Sequence, residues 1–399
     1  MRIVFIAGEF PPLQGGLGDF TRELARACRL AGHEVHVFTR AAAGAPDDEL
    51  LDGVAVHRRV SRWGWATWKQ VAGFVQRVRP DVLNVQYQAA AYHMHPAINL
   101  LPLILSRRAP VVVTFHDLRT PYLFPKAGPL RRQAILGMAC AARAVIVTNV
   151  EDDVSLRQAG LREVFRIPIG SNITPADLTG FDRCTWLRCA GSRTQARVQE
   201  MNEDAPERVF VVGYFGFLNE SKGGETLIRA LALLRDRGLD IKLLLIGGQT
   251  GDSDPTNQQY AHALMALADE LSVRTQILST GFVDARAVSE AFAACDCVAL
   301  PYRDGASLRR GTLMAALAHG AAIVTTTPRV ELPELQHEEN VLLVPADQPA
   351  ALADAIRRVL TDSELRRRLQ AAARRTAALF NWEHIAAETV CVFERARSR

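Results

Sequence analysis

No stretch of this 399-residue chain approaches the ~20 consecutive apolar residues that a membrane-spanning helix needs. The opening apolar run is Ile3–Ala7, and it meets Glu9 and two prolines, too short a core for a secretory leader. The chain is therefore expected in the cytoplasm, touching a membrane face peripherally at most. Charge of one sign is also lacking. Lys and Arg number 47 against 43 Asp and Glu, a formal net charge of +4. That excess is too small for a nucleic-acid footprint, so no nucleic acid is expected as partner. Cysteine is sparse and poorly spaced for metal. The seven residues (28, 140, 184, 189, 295, 297, 391) contain no C-x2-C pair. They read as structural thiols of a reducing compartment. Low complexity is absent too. A composition of 48% hydrophobic and 23% charged residues excludes disorder and collagen-like repeats.

What is present is an alternation. At ~150 residues per domain the chain is long enough for two or three domains. Ile3–Ala7 reads as a strand. Phe20, Leu24, Ala27/Cys28 and Ala31 follow at the spacing of a buried helical stripe. Gly32 then stops the helix, and Val35–Phe38, Val82–Val85, Val111–Phe115 and Val145–Thr148 continue the pattern. These runs are apolar throughout, as parallel strands are when helices cover both faces. The second half repeats the scheme with strands near Val209–Phe215, Lys242–Ile246, Gln276–Leu278, Cys297–Leu300, Ala322–Thr326 and Val341–Val344. Helical windows, Glu225–Arg237, Gln258–Glu270 and Ala287–Ala294, lie between them. The fold class is α/β, two doubly wound Rossmann-like domains facing a cleft. The expected boundaries are 1–172 for the first domain and 173–207 for an aperiodic linker with room for one short helix. Residues 208–378 form the second domain, and 379–399 a helix crossing back to the first. Ligands bind such sheets beyond the carboxyl ends of the strands.

The first strand runs into a loop holding Gly15, Gly16 and Gly18, with Asp19 opening a helix. Glycines let backbone N–H groups approach a phosphate, and a helix N-terminus adds partial positive charge. The order is G-G-x-G-D rather than G-x-G-x-x-G, which disfavours a nicotinamide site.

Gln14-Gly-Gly-Leu-Gly-Asp19, followed by GHEVHVFT, resembles the opening of GT-B glycosyltransferases, a group that includes the glycogen and starch synthases and the retaining family 4. Further segments resemble the same family in the same order: VVVTFHD, VFRIPIGSNI, YFGFLNESKGGETLIRAL, TGFVDARAVSEAFAACDCVALPY, AALAHGAAIVTT and ELPELQHEENVLLVPADQPAALADAI. The resemblance spans nearly the whole chain apart from the linker. It implies retaining, metal-independent transfer of a sugar from a UDP- or GDP-sugar to a glycan or lipid-linked acceptor, typically in cell-surface polysaccharide or glycolipid assembly. The second domain would bind the nucleotide and the first the acceptor. Neither cofactor nor metal is expected. Lys222 matches the family lysine that neutralises the leaving diphosphate, a role suited to a compact ammonium. His116, with Asp117 beside it, matches the histidine that contacts the donor sugar.

Two departures stand out. The family's G-R-L-x-x-x-K-G pattern here begins Gly216-Phe217-Leu218, so its arginine is missing. The paired glutamates are missing as well, with Ser307 and Ala315 at their positions. Instead, Asp304-Gly-Ala-Ser307-Leu-Arg309-Arg310-Gly-Thr312 leads into a helix. Two arginines at a helix N-terminus are electrostatically unfavourable unless an anion sits there. Arg309 or Arg310 is therefore expected on the diphosphate, and Asp304, Ser307 and Thr312 beside the donor. His93 and His95 read as polar loop residues on the acceptor side. Asp252-Ser253-Asp254 reads as a solvated loop. Trp65, Trp68, Val71, Phe74/Val75 and Val78 read as a core-facing helical stripe. Three alternatives remain open at this point: an inverting GT-B enzyme with Asp19 or His116 as base, a nucleotide-sugar epimerase, and a non-catalytic sugar-nucleotide-binding partner.

Overall fold

The computed structural model describes residues 1–13, 15–118, 128–193, 209–248 and 255–398. Asp252-Ser253-Asp254, Gln14 and the expected linker beyond residue 193 lie outside them. The chain divides into two compact units, Met1–Asn172 with Phe380–Arg399, and Ile173–Leu379.

The first unit begins with β1 (Arg2–Ala7), α1 (Gly16–Leu30), β2 (Glu34–Arg40), β3 (Asp48–Leu51), β4 (Val54–Val60) and α2 (Thr67–Val78). It continues with β5 (Val82–Tyr87), α3 (Leu101–Leu105), β6 (Val111–Phe115), α4 (Gly128–Ala141), β7 (Ala144–Val147), α5 (Val150–Gln158) and β8 (Val164–Arg166). The strand order is β3-β4-β2-β1-β5-β6-β7-β8, and every pair is parallel except β3–β4. Alternate residues of a strand face opposite sides. Val4 and Ile6 of β1 accordingly enter one core with Val71 and Phe74 of α2 and Met138 of α4. Ile3 and Phe5 enter the other core with Phe20, Leu24 and Cys28 of α1. This is double winding in its physical sense: a sheet apolar on both faces, each face covered by helices.

The α1 stripe stops one position earlier than its period predicts. The helix ends at Leu30, and Ala31 is an exposed C-cap. The tryptophan segment also departs from a single stripe. α2 begins at Thr67, so Trp65 precedes it and is half exposed. Trp63 is instead buried off the helix, its Nε1–H donating to the Gly8 carbonyl at 2.9 Å. The hairpin β3–β4 escapes sequence reading because β3 is a short edge strand and β4 beside it buries Arg58 among Val54, Val56 and Val60, so neither reads as an apolar run.

The second unit opens with α6 (Arg183–Arg193), β9 (Phe210–Phe215), α7 (Gly224–Asp236), β10 (Ile241–Ile246), α8 (Pro255–Glu270), β11 (Ile277–Ser279) and α9 (Ala285–Ala294). β12 (Cys297–Leu300), α10 (Gly311–Ala318), β13 (Ile323–Thr326), β14 (Leu342–Val344), α11 (Pro349–Thr361) and α12 (Ser363–Ala377) follow. Its all-parallel sheet has the order β11-β10-β9-β12-β13-β14. Leu227 and Leu231 of α7, Leu264 of α8 and Ile356 of α11 pack against Val212, Leu243, Ala299 and Val324. Residues 173–193, expected within a linker, are fastened to this unit. Arg183 Nε donates to the Ala294 carbonyl at 2.8 Å, and its Nη2 pairs with Asp296, also at 2.8 Å.

The last helix, α13 (Trp382–Arg397), belongs to the first unit. Asn381 caps it by accepting from the His384 N–H. Trp382 Nε1–H donates to the Ser171 carbonyl at 2.7 Å. Ile385, Ala386 and Phe393 join the core of α1. Among the described residues, no helix is long and apolar enough to cross a membrane.

Candidate active site

In the second unit the chemistry gathers where β9 and β12 end. β9 gives way to Gly216, held at φ +104°, where a side chain is strained. A Cβ there would lie 2.6 Å from Thr312 Cγ2 and 2.9 Å from Lys222 Nζ. The Lys222 ammonium thus sits over a bare backbone, beside the start of α10. The turn carrying Lys222 closes on Gly223, at φ +70°. A Cβ on Gly223 would collide with the Pro301 carbonyl oxygen. No side chain fits this approach, which pins the lysine turn against the end of β12.

From β12 the chain passes through Tyr302, Asp304 and Ser307 to Arg309 and Arg310. Arg310 is the N-cap of α10 and supplies no side-chain cap. Its guanidinium lies over the Tyr302 ring, 4.9 Å from the centroid. The fully buried Tyr302 shares a 2.6 Å hydrogen bond with Thr312. Asp304 accepts from both arginines, from Arg309 Nη2 at 3.3 Å and also from Arg310 Nη2. Ser307 is buried, and its carbonyl takes the Arg310 N–H. Ala315, where the family carries its second glutamate, is fully buried in α10.

Arg309 and Arg310 both pair with Asp304, and Lys222 stands close to Arg310. Lys222 has no ion pair among the described residues, and Arg310 Nε is buried without a hydrogen-bond partner there. Burial, with Arg310 close by, pushes the Lys222 pKa down to about 7. A lysine pressed toward neutrality beside arginines at a helix N-terminus makes a cationic corner, where an anion would be stabilised. Sequence reasoning brought Lys222, Asp304, Ser307, Arg309, Arg310 and Thr312 here, and the fold gathers all six. It missed Tyr302, whose only signal was its place just after a strand.

In the first unit the glycine loop is redistributed. Gly18 is buried within α1, and a Cβ would stand 3.1 Å from Phe10 Cα. Its bareness serves helix–loop packing. Gly15 lies against the Glu9 carboxylate, which a Cβ would strike. Glu9 is hydrogen-bonded by the backbone N–H groups of Gly18 and Leu17, although burial still holds its pKa up. The N-terminus of α1, expected to receive a phosphate, therefore already holds a carboxylate of its own chain. Only Gly16 borders open space, with nothing within 4 Å of its Cβ position. Asp19 accepts from Asn172 Nδ2 at 3.1 Å, and burial raises its pKa.

His116 sits just past β6, with the edge of Phe20 against it at a 4.6 Å ring separation. Its Nε2 is 2.6 Å from Gln86 Oε1, and burial pushes its pKa down to about 4. Asp117 follows, partly buried. Beyond β2 and β5, Arg40 Nη1 donates to His93 Nε2 at 2.7 Å. His93 and Met94 both adopt left-handed φ, +52° and +55°, a strain that the surroundings must impose. Arg40 and Arg62 depress the His93 pKa further after burial. His95 has a different job, capping a short turn by accepting from the Ala97 N–H.

Residues 14–172 match the model of glycosyltransferase family 4, and residues 209–362 match that of glycosyl transferases group 1. The chain is a GT-B glycosyltransferase of the family 4 type. This glycosyltransferase is 27% identical to a D-inositol 3-phosphate glycosyltransferase from Jonesia denitrificans, covering 96% of this chain and 92% of that one. It is also 27% identical to a phosphatidyl-myo-inositol mannosyltransferase from Mycobacterium tuberculosis, over 99% and 97% of the two chains. Sucrose-phosphate synthase from Thermosynechococcus elongatus shares its fold with a TM-score of 0.75 at 21% identity, covering 99% and 98% of the chains. HepE from Anabaena, solved with UDP and glucose, gives 0.74 at 21% identity over 98% of each chain.

Proposed function

We propose that this glycosyltransferase moves a sugar, with retention and without a metal, from a UDP- or GDP-sugar to an anionic polyol or glycolipid acceptor in cell-surface glycan assembly. The observation that carries the reading is the cationic corner of Lys222, Arg309 and Arg310 at the start of α10. Breaking the bond between the anomeric carbon and the diphosphate oxygen leaves charge on that diphosphate. Fixed cations stabilise it most where water is excluded. Two arginines and a lysine supply the charge that a divalent ion would otherwise bring, which favours the metal-independent reading. An anion at this corner would also relieve the unfavourable pairing of cations with the α10 dipole. In this reading His116 is the residue that contacts the donor sugar, as the family resemblance implies. Arg40, Arg62 and His93 there suit an acceptor bearing phosphate, as the names of the inositol phosphate and phosphatidylinositol enzymes describe for those proteins.

The test is Lys222→Ala. Turnover should fall on the order of 10²–10³-fold, because transition-state charge stabilisation is lost. The circular dichroism spectrum and melting temperature should hold. Wild-type turnover in the variant would remove Lys222 from the mechanism. NMR of the product's anomeric configuration decides retention, and activity undiminished in EDTA decides metal independence.

A further inference from the structure

Below His116 runs a line of buried amides. Asn84 and Gln86 share one face of β5; Thr114 lies on the neighbouring β6 and His116 just past its end, with Asn84 opposite Val112 and Gln86 opposite Thr114. Asn84 and Gln86 are fully buried and Thr114 is 2% exposed. Central parallel strands are ordinarily apolar, and polar groups there are costly unless hydrogen-bonded.

One end of the line fixes the direction of every bond. The Val112 carbonyl can only accept. The Asn84 atom 3.2 Å from it is therefore the amide NH2, which also donates to Thr114 Oγ1 at 2.9 Å. Asn84 Oδ1 is then turned toward Gln86 and takes a hydrogen bond from the Gln86 NH2. That leaves Gln86 Oε1 facing His116 Nε2 at 2.6 Å. An amide oxygen only accepts, so Nε2 carries the ring proton. In a neutral imidazole Nδ1 is then a bare acceptor. It has no hydrogen-bond partner among the described residues.

We propose that Gln86 is a positioning residue of the transfer reaction, locking His116 as the Nε2–H tautomer so that Nδ1 accepts a hydrogen bond from a hydroxyl of the donor sugar. The proposal rests on the reading of His116 as the donor-sugar contact. It adds a rule of selection. A sugar presenting O–H at this point is accepted. One presenting a carboxylate or an ether oxygen sets lone pair against lone pair and is rejected. Burial of the ring supports the arrangement, since with a pKa of about 4 no second proton reaches Nδ1 near neutrality.

The experiment uses the full-length protein with 15N-labelled histidine, the His116 signals being assigned from His116→Asn. The wild type should show one neutral Nε2–H tautomer for His116. Gln86→Leu should lose that preference, and kcat/KM for the donor should drop on the order of 10²-fold, with the acceptor KM unchanged. Gln86→Glu retains an acceptor opposite Nε2 but adds a negative charge, which favours imidazolium. It should restore activity at alkaline pH and shift the acid limb of the pH profile upward by about one unit or more. Packing alone would move neither the tautomer nor that limb. An Nδ1–H signal in the wild type overturns the relay outright. An Nε2–H signal with wild-type donor kcat/KM in Gln86→Leu overturns the link to the donor sugar, while the glycosyltransferase reading stands. If Gln86→Leu does not fold, the wild-type spectrum and the Gln86→Glu profile decide.

Discussion

Lys222 should make nucleotide-sugar binding depend on pH. Its pKa in the free protein lies near 7, lowered by burial and then by Arg310, against an ordinary value of ~10.4. A bound diphosphate favours the charged form and raises that pKa again. Binding must then take up a proton, and affinity is fully expressed below pH 7. Above it, affinity should weaken by up to about tenfold per pH unit until the bound-state pKa is reached. The diphosphate of a nucleotide sugar does not itself titrate in this window. Calorimetry in buffers of different ionisation enthalpy should therefore show net proton uptake at pH 8, and Lys222→Ala should show none. The lysine was legible in the sequence because its segment resembles the family's lysine motif. Its environment was not. Only packing reveals that Arg310 crowds it while Asp304, the nearby carboxylate, is taken by the arginines.

The element with the most to lose by a single change is α13, distant in sequence from the core it completes. Phe393 is fully buried, its ring 6.2 Å from that of Phe5 in β1. Phe393→Ala should cost about 3–5 kcal/mol of the first unit's stability, the transfer term plus a cavity. Urea unfolding followed by circular dichroism should show a lower midpoint for that unit's transition. Helix α1 illustrates what periodicity tells and what it omits. Phe20, Leu24 and Cys28 were readable as its buried stripe, and they are buried. The carboxylate at its N-terminus was not readable. Glu9 precedes Gly18 by a loop, and only the folded backbone brings the two together. The glycines looked alike in the sequence, yet Gly18 serves packing and Gly16 faces open space.

For the whole molecule, the nucleotide is the accessible unknown. A ligand that binds only the native state stabilises it by RT ln(1 + [L]/Kd), about 2.7 kcal/mol at 100 Kd. UDP and GDP, each at saturating concentration, should raise the melting temperature unequally, and the larger shift names the donor base. ADP should shift it least. Lys222→Ala should shrink the shift with the preferred nucleotide.

The sequence by itself determined the two α/β sheets, because strands buried on both faces must be apolar throughout and helices between them must carry a stripe. It also determined the order of the family motifs, and through that resemblance singled out Lys222 and His116, while the Arg309–Arg310 pair drew notice as two cations opening a helix. Tertiary structure alone decided what those residues meet. Hydrogen-bond direction, charge compensation and steric room depend on atoms brought together from distant positions. Val112 thus fixes the proton on His116 through Asn84 and Gln86, and the Pro301 carbonyl fixes Gly223 beneath Lys222. No periodicity in a single strand or helix encodes such pairings, because each is completed by a separate segment, Asn84 and Gln86 of β5 for His116 and Pro301 for Gly223.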